Sequence, residues 1–416
     1  MQPRNELPET SMGHDPRSVL QRLFAYCKAS DWAGYDPYDA LNSTWFESSP
    51  LWNSRLARLV LTQALKRSPI NVRGLLKVPK TQNPKGLALF LSALLKAPEL
   101  STPETGDLAG SLTEKILALR SPDAPYWCWG YSFPWQTRAV LVPRAAPNLV
   151  CSTFVAESLL DLYEQRHAPE HLKVALSAAE YLLNDLYWSD GPAVVGFAYP
   201  LPTIRNQVHN ANLLAAALFS RVHKFTGDQR FLGKALAVAR YSASKQRPDG
   251  SWTYGEGPPQ QWIDNFHTGY NLCALKSISQ NAGTGEFESS IRRGFEFYRS
   301  HFFLEDGAVR YFHNQTRPLD IHCVAQSILT LLEFRDLHPG NRELAHSVFQ
   351  WAARHMWDDR AGYFYYRALP VGVNRIPYMR WSEAWMLRAL AELTREPDEP
   401  GTHLASPEAR NAVEVA

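Results

Sequence analysis

Cysteine is scarce in this chain of 416 residues, with only Cys27, Cys128, Cys151, Cys273 and Cys323. Five scattered thiols, odd in number, exclude a disulfide framework and suit a reducing compartment. The chain also lacks a charge excess: 43 Lys and Arg stand against 41 Asp and Glu, a net charge of +2. No nucleic-acid footprint follows from so even a balance. Nowhere do the ~18 uninterrupted apolar residues of a transmembrane helix occur. Where a signal peptide would need an apolar stretch, the first residues carry Pro3, Glu6, Pro8, Glu9, Asp15 and Pro16. The expectation is a cytoplasmic protein with no membrane span and no nucleic-acid partner. A Gly-rich phosphate loop, a Gly-x-Ser-x-Gly elbow and a His-Glu-x-x-His helix are missing as well. Cys128, His322 and Cys323 are zinc-ligand types, but their spacing carries no zinc signature, so neither metal nor cofactor is expected.

What is present is a globular composition, 45% hydrophobic and 20% charged, with 13 Trp. Many of the aromatics fall in Gly- and Asp-containing segments that recur. Trp188-Ser189-Asp190-Gly191, Pro248-Asp249-Gly250-Ser251-Trp252, Leu304-Glu305-Asp306-Gly307 and Trp357-Asp358-Asp359-Arg360-Ala361-Gly362 end in glycines 59, 57 and 55 residues apart. Between them lie paired amphipathic patterns, such as Ala211, Leu214, Leu218, Val222 and Phe225 followed by Leu232, Ala235 and Ala239. Gly227 and Asp228 supply the stop and start signals between the two.

The same spacing predicts helices near 17–29, 53–67, 86–98, 107–119, 152–165, 170–186, 211–226, 229–245, 268–283, 285–301, 322–337, 341–356 and 382–395, with hardly any strand. A hairpin of this size buries one face only against neighbours, and periods of 55–59 exceed those of common solenoids. The predicted fold is therefore all-α: an (α/α)6 toroid spanning 17–395, its first helix paired with its last, between a flexible N-terminus (1–16) and a flexible tail (396–416). Long connections at 31–52, 126–151, 187–210, 247–267, 304–321 and 357–381 would all emerge on one end, where function is expected.

Those connections carry flat rings among Asn, Gln, Asp and His, which suits a sugar ring stacked by its C–H face and bonded through its hydroxyls. Candidate binding residues are Trp32, Tyr35, Trp127, Trp129, Trp135, His209, Asn210, Trp252, Trp262, Tyr270 and Trp381. Each such ring also has a purely structural use, plugging a loop against a helix end. Arg138, Arg205, Arg375 and Arg380, with Arg144 and Arg317, add an expectation of an anionic ligand, although some would simply pair with nearby Asp. For acid–base chemistry the candidates are Asp264, His267, Asp320, His322, Tyr378 and Glu383, each at or just before an inner helix. Paired carboxylates would serve glycoside hydrolysis; Tyr or His with Arg would serve proton abstraction beside a carboxylate.

Several stretches resemble a family of bacterial proteins from exopolysaccharide and capsule gene clusters: Asp31-Trp32-Ala33-Gly34-Tyr35-Asp36-Pro37-Tyr38-Asp39, Pro79 to Gly86, Gln261 to Asn271, Asp320-Ile321-His322 and Tyr378-Met379-Arg380-Trp381. The resemblance implies a six-hairpin glycosidase-like toroid in a polysaccharide-biosynthesis setting and lends no catalytic residue. More distantly, the helix, Thr-Gly-Asp, helix pattern from Asn212 to Leu232 is similar to the C-terminal domain of glucuronyl C5-epimerases. The expected activity is modification of an acidic glycan by uronate C5 epimerisation or elimination. The alternatives are hydrolysis by paired carboxylates and glycan binding without catalysis.

Overall fold

The computed structural model of the protein describes residues 13–101, 106–191, 193–370 and 372–395. The flexible tail expected at 396–416, and all but the last few residues of the flexible N-terminus, lie outside the described residues. Helix α1 (Pro16–Ala29) is followed, before the first hairpin, by two helices, α2 (Thr44–Glu47) and α3 (Arg55–Arg67). Five hairpins follow: α4 (Pro84–Lys96) with α5 (Leu108–Ala118), α6 (Leu149–Arg166) with α7 (Pro169–Tyr181), α8 (His209–Thr226) with α9 (Gln229–Ser244), α10 (Asn265–Ala282) with α11 (Glu288–Phe302), and α12 (Ile321–Glu333) with α13 (Asn341–His355). The last helix, α14 (Ala384–Thr394), pairs back onto α1.

The inner helices form a closed circle in which α4 packs on α6, α6 on α8, α8 on α10, α10 on α12, α12 on α14 and α14 on α4. Each inner helix has its own outer partner, so the chain is an (α/α)6 toroid. Inner helices are buried over most of their surface because neighbours cover both flanks and the outer layer covers the back. In α4, every residue from Pro84 to Leu94 is buried. Outer helices are amphipathic, as in α11, where Ile291, Phe295, Tyr298 and Phe302 are buried.

The repeating glycines share one backbone conformation. Gly191, Gly250, Gly307 and Gly362 all take positive φ, between 70° and 90°. A Cβ on Gly250 would lie 2.3 Å from the Arg293 carbonyl oxygen of α11, one on Gly307 2.6 Å from that of Ser347 in α13, and one on Gly362 3.2 Å from that of Arg22 in α1. The loops of Gly250, Gly307 and Gly362 thus turn left-handed against the next outer helix along, and the last leans on the first, which closes the circle; Gly191 shares the conformation but has open space at its Cβ position.

The sequence placed most helices within a few residues, and the departures are informative. Helix α10 starts at Asn265, three residues early, because the Asp264 carboxylate accepts the His267 backbone N–H and so turns the preceding residues into helix. The expected helix 170–186 ends in a π-helical turn, Leu182–Leu186, and α14 is preceded by another, Met379–Glu383. Helix α3 stands outside the ring, packed over a small second core of Ala40, Leu65 and Val78.

The long connections interlock on one end. Tyr35 bridges to Tyr378 and Asp264 to Phe312, while short strands Leu319–Asp320, Arg367–Ala368 and Val373–Asn374 form one sheet across two connections. No described helix is long and apolar enough to cross a membrane.

Candidate functional site

The N-termini of the inner helices converge on the interlocked end, and their caps fix what they present. Asn83, Asn148, Asp264 and Asp320 each accept a backbone N–H from the first turn of α4, α6, α10 and α12. Capping orients Lys85, His267 and His322, which follow these residues by two or three positions.

Side chains from five inner helices meet on the ring axis. The Lys85 ammonium lies 4.1 Å from the ring centre of Phe154, 5.2 Å from Trp385 and 5.9 Å from Tyr270. His322 stacks between Phe266 and Trp385, each 4.6 Å away, and its Nε2 shares a 2.7 Å hydrogen bond with the Tyr270 hydroxyl. Its Nδ1 is buried with no hydrogen-bond partner among the described residues. Burial, then the charges of Lys85, Arg380 and His267, push His322 well below the ordinary histidine range. Burial and then Arg380 likewise hold Lys85 well below the usual lysine value, and no carboxylate among the described residues pairs with it.

Beside this floor stands an acid–histidine pair. Asp264 accepts from the His267 backbone N–H at 3.0 Å and from Trp262 Nε1 at 2.8 Å, and its Oδ2 lies 2.7 Å from His267 Nδ1. With Nδ1–H donated to the carboxylate, the lone pair is on Nε2, and the imidazole, 19% exposed, is the open member of the pair. His267 and His322 flank the Phe266 ring at 4.1 and 4.6 Å. Trp262 stacks flat on Tyr254, 4.6 Å away and 11° from parallel, and extends the wall.

Two ion pairs flank this cluster. Asp320 accepts from Arg367 at 2.5 and 2.9 Å, from Trp381 Nε1 at 3.0 Å and from the His322 backbone N–H. Arg380 is bidentate to Asp36 at 2.7 and 2.9 Å, with Tyr131 4.9 Å from the guanidinium. Tyr131, Tyr199, Tyr254 and Tyr311, from four different connections, are all raised by burial and then by acidic or tyrosine neighbours. Tyr199 is pushed up to about 12. Tyr38, from a fifth connection, is among the neighbours that raise Tyr199, Tyr254 and Tyr311. Their hydroxyls are neutral donors and acceptors at any physiological pH.

Of the residues singled out from sequence, the fold brings together Asp264, His267, Asp320, His322, Trp262, Tyr270, Arg380 and Trp381. Others it places elsewhere. Glu383 accepts the Phe364 backbone N–H and faces Tyr26 and Cys27 of α1, between the two helical layers, where burial raises its carboxyl well above the usual range. The Tyr378 ring packs edge-on against Tyr366 and over the Arg73 guanidinium. Trp32, Trp129 and Trp252 are core, not platforms for a ligand. Trp32 lies between Phe24 and Phe90, and the other two donate Nε1–H to the carbonyls of Ile116 and Ser242.

His209 and Asn210 are buried in the first turn of α8, each with one unpartnered polar atom, and burial pushes His209 down to about 4. Trp127 stacks on Arg120, Trp135 packs edge-on against Tyr131, and Tyr35 lies near Lys80. Arg138, Arg205 and Arg375 are exposed, Arg375 over Tyr365 and Arg138 bonded to the Pro259 carbonyl. Of the other two rim arginines, Arg144 lies 3.9 Å from Glu47, and Arg317 is exposed.

Sequence reasoning missed Lys85, Phe154, Trp385 and Arg367. Lys85 had a usable signal: it opens an inner helix just as His267 and His322 do.

No family model matches the chain, and no curated protein matches it in sequence; the likeness to exopolysaccharide proteins rests on the quoted residues alone. Solved structures do match in fold. A cellobiose 2-epimerase from Bacillus thermoamylovorans is 10% identical with a TM-score of 0.58, covering 76% of this chain and 89% of its own. An unsaturated glucuronyl hydrolase from a Bacillus species is 15% identical with a TM-score of 0.60, covering 91% and 96%. A D-mannose isomerase is 11% identical with a TM-score of 0.61, covering 93% and 99%. At such identities the likeness is one of fold.

Proposed function

We propose that this protein is a sugar-modifying enzyme that moves a proton at a carbon beside a carbonyl. The observation that carries this reading is the Asp264–His267 pair, a carboxylate-oriented and partly exposed imidazole set among the rings of Tyr254, Trp262 and Phe266. Abstracting such a proton needs a base, an acid able to return a proton, and a positive group where the enolate charge develops. His267 is the base. The His322–Tyr270 pair on the far side of Phe266 is the acid, and returning the proton to the opposite face of the carbon inverts it. Lys85, which pairs with no carboxylate among the described residues, meets the developing charge, which raises its lowered proton affinity and so draws it into the ammonium form. Two of the structural neighbours are by name a sugar epimerase and a sugar isomerase, reaction classes that such a proton shift accomplishes.

The finer reading is a uronate-bearing glycan of surface-polysaccharide production, epimerised at C5 or cleaved by elimination. Its carboxylate would pair with Lys85, whose lowered proton affinity an arriving anion raises again; Arg380 is already bidentate to Asp36. Hydrolysis by paired carboxylates has less support, because Asp264 and Asp320 are saturated by Trp, His and Arg donors and Glu383 lies behind the inner helices. Product analysis on uronate oligosaccharides and on cellobiose separates the reactions. A new epimer, or an unsaturated ultraviolet-absorbing end, supports the proposal. New reducing ends without either would overturn it in favour of hydrolysis.

A further inference from the structure

The segment around α3 is unlike the rest of the surface. Every large hydrophobic side chain that stands exposed among the described residues belongs to it: Trp45, Leu51, Leu56, Val60, Ile70 and Leu75, between 53 and 83% exposed. Leu56 and Val60 are one turn apart and continue through Gln63 to Arg67 along a single outward stripe of α3. The charge is one-sided. Between Ser43 and Lys80 stand seven Lys and Arg and one acid, Glu47. Arg73 is buried on Asp39, but Arg55, Arg67, Lys77 and Lys80 are exposed and pair with no carboxylate among the described residues. Six protruding apolar side chains cost free energy in water, and the unmatched cations around them select a negatively charged cover.

We propose that this face docks onto the surface of an anionic lipid bilayer, the apolar side chains entering the headgroup boundary and the cations meeting lipid phosphates. Surfaces that present apolar side chains inside a basic rim bind such interfaces by that division of labour, and here the apolar side chains come from α2, α3 and the turns beside them. A second copy of the chain is a poorer cover, since two-fold pairing would set basic residues against basic residues. The position of the face gives the docking a use. Arg58 bonds Gln136, Arg55 bonds the Arg138 carbonyl, and Asn374 bonds the Ser68 carbonyl. The segment is thereby fixed to the connections around the open end of the toroid. A docked molecule holds its mouth at the bilayer, where a glycan carried on lipid would stand. The inference does not depend on the sugar chemistry proposed above.

Sedimentation of the full chain with vesicles of mixed phosphatidylglycerol and phosphatidylcholine, against phosphatidylcholine alone, tests it. The expected result is binding to the anionic vesicles only, weakened by high salt. It should fall at least tenfold in the double variant Leu56→Glu/Val60→Glu and in Arg67→Glu/Lys77→Glu. All four side chains are exposed, so both variants should keep the wild-type melting temperature. Should either unfold, Leu56→Ser/Val60→Ser carries the same test. Absence of vesicle binding at low salt would overturn the proposal. So would binding that survives these substitutions, or a dimer that Leu56→Glu/Val60→Glu dissolves.

Discussion

At the scale of single residues, two histidines are held neutral by burial. His209 is pushed from 6.5 to about 4, and His322 is also well down. Above pH 6.5 neither state of the chain binds these protons, so neither histidine affects stability. As the pH falls below 6.5 the unfolded chain takes up protons that the folded chain refuses, and stability drops until the folded values are reached. His209 alone would account for about 2 kcal/mol of loss at pH 5. Thermal unfolding at pH 7 and pH 5 checks this: the wild type should lose far more than His209→Gln between the two, and parallel losses would refute the assignment. Residue types at inner-helix starts were legible in the sequence, which is how His267, His322 and Asp264 were found. Their surroundings were not. Glu383 and Tyr378 sit at equivalent positions along the chain, yet the π-helical turn at Met379–Glu383 carries Glu383 behind the ring, and Tyr378, just before that turn, is spent on Tyr366 and Arg73; no spacing rule announces such a turn.

At the scale of elements, the 55–59-residue period was legible because each repeat reuses a left-handed glycine, which three of the four press against the next outer helix. The four sites differ in how hard they press, and that gives a graded prediction. Gly191 has open space where a Cβ would go, so Gly191→Ala should cost about 1 kcal/mol from backbone strain alone. Gly307→Ala adds a collision with the Ser347 carbonyl at 2.6 Å and should cost about 3 kcal/mol. Denaturant unfolding of the two variants measures the difference, and equal costs would contradict the steric account. Helix α3 was legible as a helix but not as an outlier. Its periodicity shows one apolar face, Leu61 and Leu65, and cannot say that Leu56 and Val60 lack a neighbour.

At the scale of the whole molecule, closure depends on joining the first connection to the last. The Arg380–Asp36 pair does this with both side chains about 5% exposed. Asp36→Ala would strand a buried guanidinium and should destabilise the chain by about 3–5 kcal/mol, read by denaturant unfolding; a change under about 1 kcal/mol would show that closure rests on helix packing alone. The same closed ring brings Lys85, Phe154, Tyr270, His322 and Trp385 together from five helices spread over 300 residues of sequence. That assembly is the part no local pattern contained.

The central claim is that His267 moves a proton between sugar carbon and solvent. Nuclear magnetic resonance in deuterated water, on uronate oligosaccharides and on cellobiose, tests it most directly. Wild-type protein should place deuterium at one carbon beside a carbonyl without shortening the glycan. His267→Asn should slow that exchange by about a hundredfold or more. Exchange at the wild-type rate in His267→Asn, or glycan turnover by wild-type protein with no deuterium in the product, would contradict the account.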